Sequence, residues 1–269
     1  MMLLPEVWGN CWRCGRTLAQ DRCAACGAFP EQDPLLGMRA GSNARLSKHL
    51  LTLPDAVLYL AVEQKVPSLV WTLPHALHGD RFAMLRFEDV TRRLQRCPAP
   101  GLIPILKVDN AKGRIPWALG EARPSQSLER QQPHLTQRTL DLKRAVHLAQ
   151  QLLLSVAALH AAGFAHGRLG PHAFSWRSTE EGDSVQLADL GRGWSNAPGQ
   201  VNAVDGAGLS LAPSWKGDEP WRLFQPPEAS PDEVSAQHDL YAVGVMLHFM
   251  LTGRLPYQPR LASELLRAM

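Results

Sequence analysis

Apolar positions recur at helical spacing most clearly between residues 142 and 159, where Leu142, Ala145, Val146, Ala149, Leu152, Leu153, Val156 and Leu159 fall on one stripe. The stripe predicts a long amphipathic helix, and Gly163 marks its C-terminus, since glycine reaches the left-handed conformation that ends helices. A second helical pattern runs from Arg81 to Arg96, with Phe82, Leu85, Val90 and Leu94 at near-helical spacing and Glu88 among them. Residues 56–62 and 68–73 are β-branched and aromatic and predict strands. Residues 103–108 and 114–119 predict a further pair joined by the turn Asp109-Asn110-Ala111-Lys112-Gly113. Residues 120–137 are polar and Pro-containing, as a hinge and connecting loop would be. After the long helix the chain predicts a tight loop, a short strand, a turn and a second strand, Val185-Gln186-Leu187-Ala188, ending at the corner Asp189-Leu190-Gly191.

Composition narrows the class. Of the 269 residues, 45% are hydrophobic and 20% charged, which argues against disorder and allows one large domain or two smaller ones. The 28 basic and 25 acidic residues nearly cancel, so charge gives no reason to expect nucleic acid or an anionic membrane as partner. The first residues lack the basic and apolar regions of a secretory signal. The longest apolar run, Leu240 to Leu251, is interrupted by His248 and is far short of the roughly 20 residues that span a bilayer. A soluble cytoplasmic protein is expected.

Four of the five cysteines form two pairs, Cys11-Trp12-Arg13-Cys14-Gly15 and Cys23-Ala24-Ala25-Cys26-Gly27, with eight residues between the pairs. Each pair can form a tight knuckle in which glycine takes a positive φ and backbone amides point at the thiolates. Two knuckles give a tetrahedral four-sulfur site for structural zinc at Cys11, Cys14, Cys23 and Cys26, with a redox dithiol pair as the competing reading. A site closed by four thiolates leaves no position for substrate, so its expected work is to fold a domain too small to fold alone. The module resembles a small bacterial zinc ribbon over residues 1–30, with a linker at 31–45 that has little to bury. Arg13, Arg16 and Arg22 read as a solvated face, and Cys97 as a small apolar residue.

Four motifs in order point to one family. They are the loop His166-Gly167-Arg168-Leu169-Gly170-Pro171-His172-Ala173, the corner Asp189-Leu190-Gly191, Pro226-Pro227-Glu228, and His238-Asp239-Leu240-Tyr241-Ala242-Val243-Gly244 followed by Thr252-Gly253-Arg254-Leu255-Pro256-Tyr257. Together they resemble the catalytic loop, the D-F-G and A-P-E motifs and the buried helix of eukaryotic-type protein kinases, here of the bacterial Ser/Thr kind. The resemblance implies an α+β, bilobal kinase-like fold over residues 46–269. It has a β-rich N-lobe at about 46–121 and a shortened α-helical C-lobe at about 122–269, and the zinc ribbon precedes it. It also implies that His166 packs under the Asp189 corner, that Asp239 bonds the backbone of the loop at His166, and that Gly244 allows close helix packing.

The family's catalytic positions are replaced. Phosphoryl transfer needs a carboxylate near the substrate hydroxyl, and the matching residue is Arg168, whose guanidinium stays protonated. Gly170 stands where the loop lysine would be, Ala173 where an asparagine would hold Mg²⁺, and Gly167 where an arginine reads an activation-loop phosphate. Thr72 replaces the lysine that clamps the α/β-phosphates, unless a different strand register brings Lys65 there, and residues 51–57 contain no glycine where a phosphate-covering loop should be. Asp189, Thr72 and Glu88 are the positions that would hold ATP and Mg²⁺ if they bound.

The resulting expectation is a pseudokinase without phosphotransfer, a regulatory or scaffolding module in signalling. A protein partner or second copy would cover its short C-lobe. The alternative is an atypical ATP-binding Ser/Thr kinase or nucleotidyl transferase whose site is lined by His166, Arg168, His172 and Asp189. A third reading has the ribbon bind nucleic acid.

Overall fold

The computed structural model describes residues 11–14, 22–41, 44–52, 56–63, 66–96, 101–109, 115–121, 126–127, 139–179, 182–187, 223–229 and 234–256. These fall into two compact units, the first holding most of the chain up to residue 125 and the second most of the rest, including residues 100–102.

The first unit is built on a six-stranded antiparallel sheet. Its strands are β1 (Arg39–Ala40), β2 (Ala44–Thr52), β3 (Val57–Glu63), β4 (Val66–Thr72), β5 (Ile105–Asp109) and β6 (Trp117–Glu121), in the spatial order β1-β2-β3-β4-β6-β5. This antiparallel sheet, with the helix α1 (Arg81–Arg96) inserted between β4 and β5, is compatible with a kinase N-lobe. The predicted strands are β3 to β6. The strand β2 runs into the first two residues of the stretch 51–57 read as a Gly-free loop, because Leu51 and Thr52 continue its pairing with β3 opposite Leu58 and Val57. Thr72 pairs with Val57 and with Trp117, so Lys65 falls between β3 and β4, outside the described residues.

Strand periodicity places Val57, Tyr59 and Ala61 on one face of β3, where they pack with Val70, Trp117 and Leu119. Leu35, Ala40, Ala44 and Leu46 complete this core, so the stretch read as a linker contributes apolar side chains to it. Asp33 is buried there as well, accepting from the Leu35 amide at 2.9 Å and from the Tyr59 hydroxyl at 2.8 Å. Burial pushes the Asp33 carboxyl above its ordinary 3.8, against the two hydrogen bonds, and the same burial with the nearby carboxylate drives Tyr59 far upward. A carboxyl raised in the folded state binds more protons folded than unfolded near and above pH 3.8, so its stabilising contribution is complete below that pH and is lost as pH rises through the folded value. Asp33→Asn is therefore expected to flatten this descending limb, read as denaturant midpoint against pH.

Helix α1 starts where Asp80 accepts from the amides of Phe82 and Ala83. That start sets its phase. Ala83, Phe87, Val90, Thr91 and Leu94 are buried, whereas Phe82, expected on the inner stripe, is 76% exposed and Leu85 also faces out. The true stripe keeps a strict i, i+4, i+7, i+8, i+11 spacing, which the more hydrophobic Phe82 and Leu85 obscure.

The second unit packs α2 (Leu142–Ala161) against α3 (Ala236–Thr252) and against a small sheet of β7 (Gln126–Ser127), β8 (Phe174–Thr179) and β9 (Gly182–Leu187). Strands β8 and β9 form the predicted hairpin after the loop at His166. Asp141 caps α2 by accepting from the Arg144 amide. At the other end Gly163 has φ +86, with its amide on the His160 carbonyl and the Phe164 amide on the Leu159 carbonyl, a Schellman end as the sequence predicts.

The buried stripe of α2 is Ala145, Leu148, Ala149, Leu152, Ser155, Val156 and Leu159, while Leu142, Val146 and Leu153 turn outward. Polar bonds flank this stripe and fix the rotation. Arg144 forms a two-point ion pair with Asp183 of β9, and Gln151 donates to the Asp183 carbonyl while accepting from the Val185 amide.

Among the described residues, no helix is long and apolar enough to cross a membrane.

Candidate functional site

The two C-x-x-C segments converge as the sequence predicts. The Sγ atoms of Cys11, Cys14, Cys23 and Cys26 all lie within 4.8 Å of one another, with Cys11–Cys26 at 3.5 Å and Cys14–Cys23 at 3.6 Å. A tetrahedral ion with bonds of about 2.3 Å to sulfur needs ligand separations of roughly 3.8 Å, so the four thiols fit one metal ion with small adjustment. The second knuckle is closed by Gly27 at φ +74, with its amide on the Cys23 carbonyl at 2.8 Å. The Arg13 amide points at the Cys11 sulfur at 3.4 Å, the donation to thiolate that a knuckle provides. Gly15 lies outside the described residues.

The thiols differ in proton affinity. Burial pushes Cys11 up to about 12, whereas at Cys23 the upward push of burial is outweighed by the amides of Cys26 and Ala25, which lower it to about 7. A divalent ion would displace these protons and equalise the four sulfurs as thiolates.

The second cluster surrounds the loop at His166 in the second unit. Asp239, in the first turn of α3, is 0% exposed, and its carboxylate accepts from the amides of His166 (2.6 Å) and Gly167 (2.9 Å) and pairs with His160 Nε2 (2.8 Å). The first two contacts are those the sequence predicts for Asp239. His160 joins them from 79 positions away, with no local pattern to announce it. Gly167 has φ +76, a conformation that favours glycine and accounts for its presence in the loop. The Arg168 amide donates to His166 Nδ1 at 3.4 Å, and the Arg168 side chain, only 2% exposed, is held inside the unit with Leu169, Ala173 and Phe174 also buried.

Among the nucleotide positions, Asp189 lies outside the described residues, and so does the corner under which His166 was expected to pack. Thr72 and Glu88 belong to the first unit, where their polar atoms are engaged. The buried Thr72 hydroxyl donates to the Pro116 carbonyl at 2.8 Å, and Glu88 accepts from Arg92 one turn along α1 at 2.7 Å. Glu228 of the Pro226-Pro227-Glu228 motif is exposed. Among the described residues Gly244 has no close neighbour of the kind expected: it is exposed, and a Cβ built on it meets none of their atoms within 4 Å.

The polar bonds that join the first knuckle to the sheet were not legible beforehand. Thr52 of β2 donates to the Trp12 carbonyl at 3.2 Å across 40 positions, and His49 Nε2 lies 2.7 Å from the Thr52 hydroxyl.

No protein-family model matches the chain. It is similar to proteins of Myxococcus xanthus named serine/threonine-protein kinase pkn2, pkn3 and Pkn1. The identities are 27% over 72% of the chain, 27% over 69% and 25% over 97%. The chain spans 22, 33 and 39% of the length of these three relatives.

Proposed function

We propose that this chain is a protein-kinase-like module that does not transfer phosphate and acts instead as a regulatory or scaffolding element, built around a structural zinc. Its similarity to bacterial proteins named Ser/Thr kinases supports the kinase-like reading. The observation that carries the loss of chemistry is Arg168, a buried cation where the family resemblance calls for a carboxylate. A guanidinium cannot accept a proton from a substrate hydroxyl, and as a buried charge it is better suited to holding the loop than to acting on substrate. Thr72 and Glu88, with their polar atoms bonded inside the first unit, support the same reading.

The soft, closed donor set of four cysteines favours Zn²⁺ over harder divalent ions. Such an ion offers no open position, so its contribution is folding energy. A protein partner or a second copy would bind the apolar side chains left exposed on α2 and α3, among them Leu142, Leu154 and Leu240.

The test is phosphotransfer from labelled ATP with Mg²⁺ to the chain itself and to a generic protein substrate. The expected result is no labelling above a heat-treated control, and metal analysis is expected to return one Zn²⁺ per chain. Time-dependent labelling that requires an intact Asp189 would overturn the non-catalytic reading.

A further inference from the structure

A continuous line of polar contacts leads from the metal knuckle into the sheet. The Trp12 carbonyl, between the ligands Cys11 and Cys14, accepts from the Thr52 hydroxyl, and Thr52 is the last residue of β2 before the connection to β3. A hydroxyl has one proton, so with that proton given to Trp12 the His49 Nε2 must carry its own and donate to Thr52. His49 meets the Tyr59 ring edge-on at 5.5 Å, opposite it in the β2–β3 register, and the Tyr59 hydroxyl donates to Asp33. Burial holds His49 down to about 4, so near neutral pH it is the uncharged donor this chain of bonds needs. The knuckle is tied on its other side by Trp12 Nε1 donating to the Phe29 carbonyl at 2.8 Å.

We infer that the metal-loaded knuckle is a clamp on the β2–β3 hairpin, with Thr52 as the positioning residue through which occupancy of the four-cysteine site is felt in the sheet. The carbonyl that Thr52 binds has a fixed position only while Cys11 and Cys14 are held on one ion. Releasing the ion frees the Trp12 peptide, and the end of β2 loses its tie to the knuckle while the Thr52 hydroxyl keeps its contact with His49 of the same strand. The clamp rests on the metal reading above and adds to it a direction, from metal to hairpin.

The experiment compares the full chain with its Thr52→Val and Thr52→Ser variants, each with one equivalent of Zn²⁺ and after chelation. Hydrogen exchange is read by mass spectrometry and metal content is measured in parallel. In the zinc-loaded state Thr52→Val is expected to retain its metal and to speed exchange in residues 49–60 by about tenfold, the size of one lost hydrogen bond, with the second unit unchanged. Thr52→Ser is expected to exchange like the parent. Chelation is expected to speed the same segment in the parent and to add little in Thr52→Val, since both remove one coupling.

Three results would overturn the clamp. One is unchanged hairpin exchange in zinc-loaded Thr52→Val, another is fully additive effects of chelation and substitution, and the third is chelation that loosens α1 and β5–β6 as much as the hairpin. Failure of the metal reading itself would appear separately, as a chain that retains no zinc after loading. If Thr52→Val does not fold, the parent decides alone: hairpin-confined loosening on chelation sustains the clamp, and its absence removes it.

Discussion

Asp239→Ala is expected to cost about 4 kcal/mol of folding stability, the range found when one partner of a buried charged network is removed. The carboxylate is fully buried and engaged by three donors, two backbone amides from the loop and one imidazole nitrogen from α2. Alanine leaves the His166 and Gly167 amides without acceptors in a site with no exposure, and each such orphan carries a desolvation penalty of about 1–3 kcal/mol. Asp239→Asn retains an acceptor but turns an amide nitrogen toward a donor, so it should lie between the parent and Asp239→Ala. The position of Asp239 in the first turn of α3, after the Ser235 cap, adds the favourable interaction of an anion with a helix N-terminus. Denaturant unfolding gives the magnitude, and exchange of the His166 and Gly167 amides reads the loop directly. A change below about 1 kcal/mol would mean that the loop keeps its shape without this anchor.

The anchor was legible because it lies inside a motif. A buried Asp at the start of a helix and a His-x-x-Leu loop 73 residues earlier are recognisable as parts of one arrangement, and the structure joins them at 2.6 Å. The same recognition misplaced Gly244, because a motif records which residue stands at a position and not what faces it. Periodicity located α1 and α2 and found part of each inner face, Val90 and Leu94 on α1 and Ala145, Ala149, Leu152, Val156 and Leu159 on α2, but misjudged the edges of both stripes. On α1 and α2 it selected exposed Phe82 and Leu142 as inner residues, since a stripe read from hydrophobicity alone does not register small and polar residues such as Ala83, Thr91 and Ser155 that the packing buries. The cysteine pairs were legible from spacing alone because the geometry of one ion constrains them. The attachment of their knuckle to β2 was not, since it depends on a carbonyl that any residue at position 12 would offer and on a threonine 40 positions away.

Small residues in close packing give the second large effect, and it falls on Gly101, to which no role was assigned from sequence, rather than on Gly244, where close packing was expected. A Cβ built on Gly101 would collide with the Ser155 hydroxyl oxygen and lie 2.6 Å from the Ser155 Cα and backbone nitrogen. The hydroxyl oxygen could rotate away, but the other two atoms belong to the backbone of α2, held by a buried stripe and by the Arg144–Asp183 pair. Gly101 cannot withdraw either, because its carbonyl accepts from the Leu187 amide at 2.8 Å and so ties the segment to β9. Gly101→Ala is therefore expected to destabilise by about 3 kcal/mol, the upper part of the overpacking range. Gly244, within α3, meets nothing among the described residues, so Gly244→Ala removes only the conformational freedom of glycine in a helix and is expected to stabilise by about 0.5–1 kcal/mol. Thermal unfolding of the two variants should move in opposite directions. If Gly101→Ala is neutral, α2 is free to retreat from residue 101, and the fixed seating of that helix on β9 is wrong. If Gly244→Ala is strongly destabilising, a surface that is open among the described residues is in fact packed, and the expectation of close helix packing at that position stands after all.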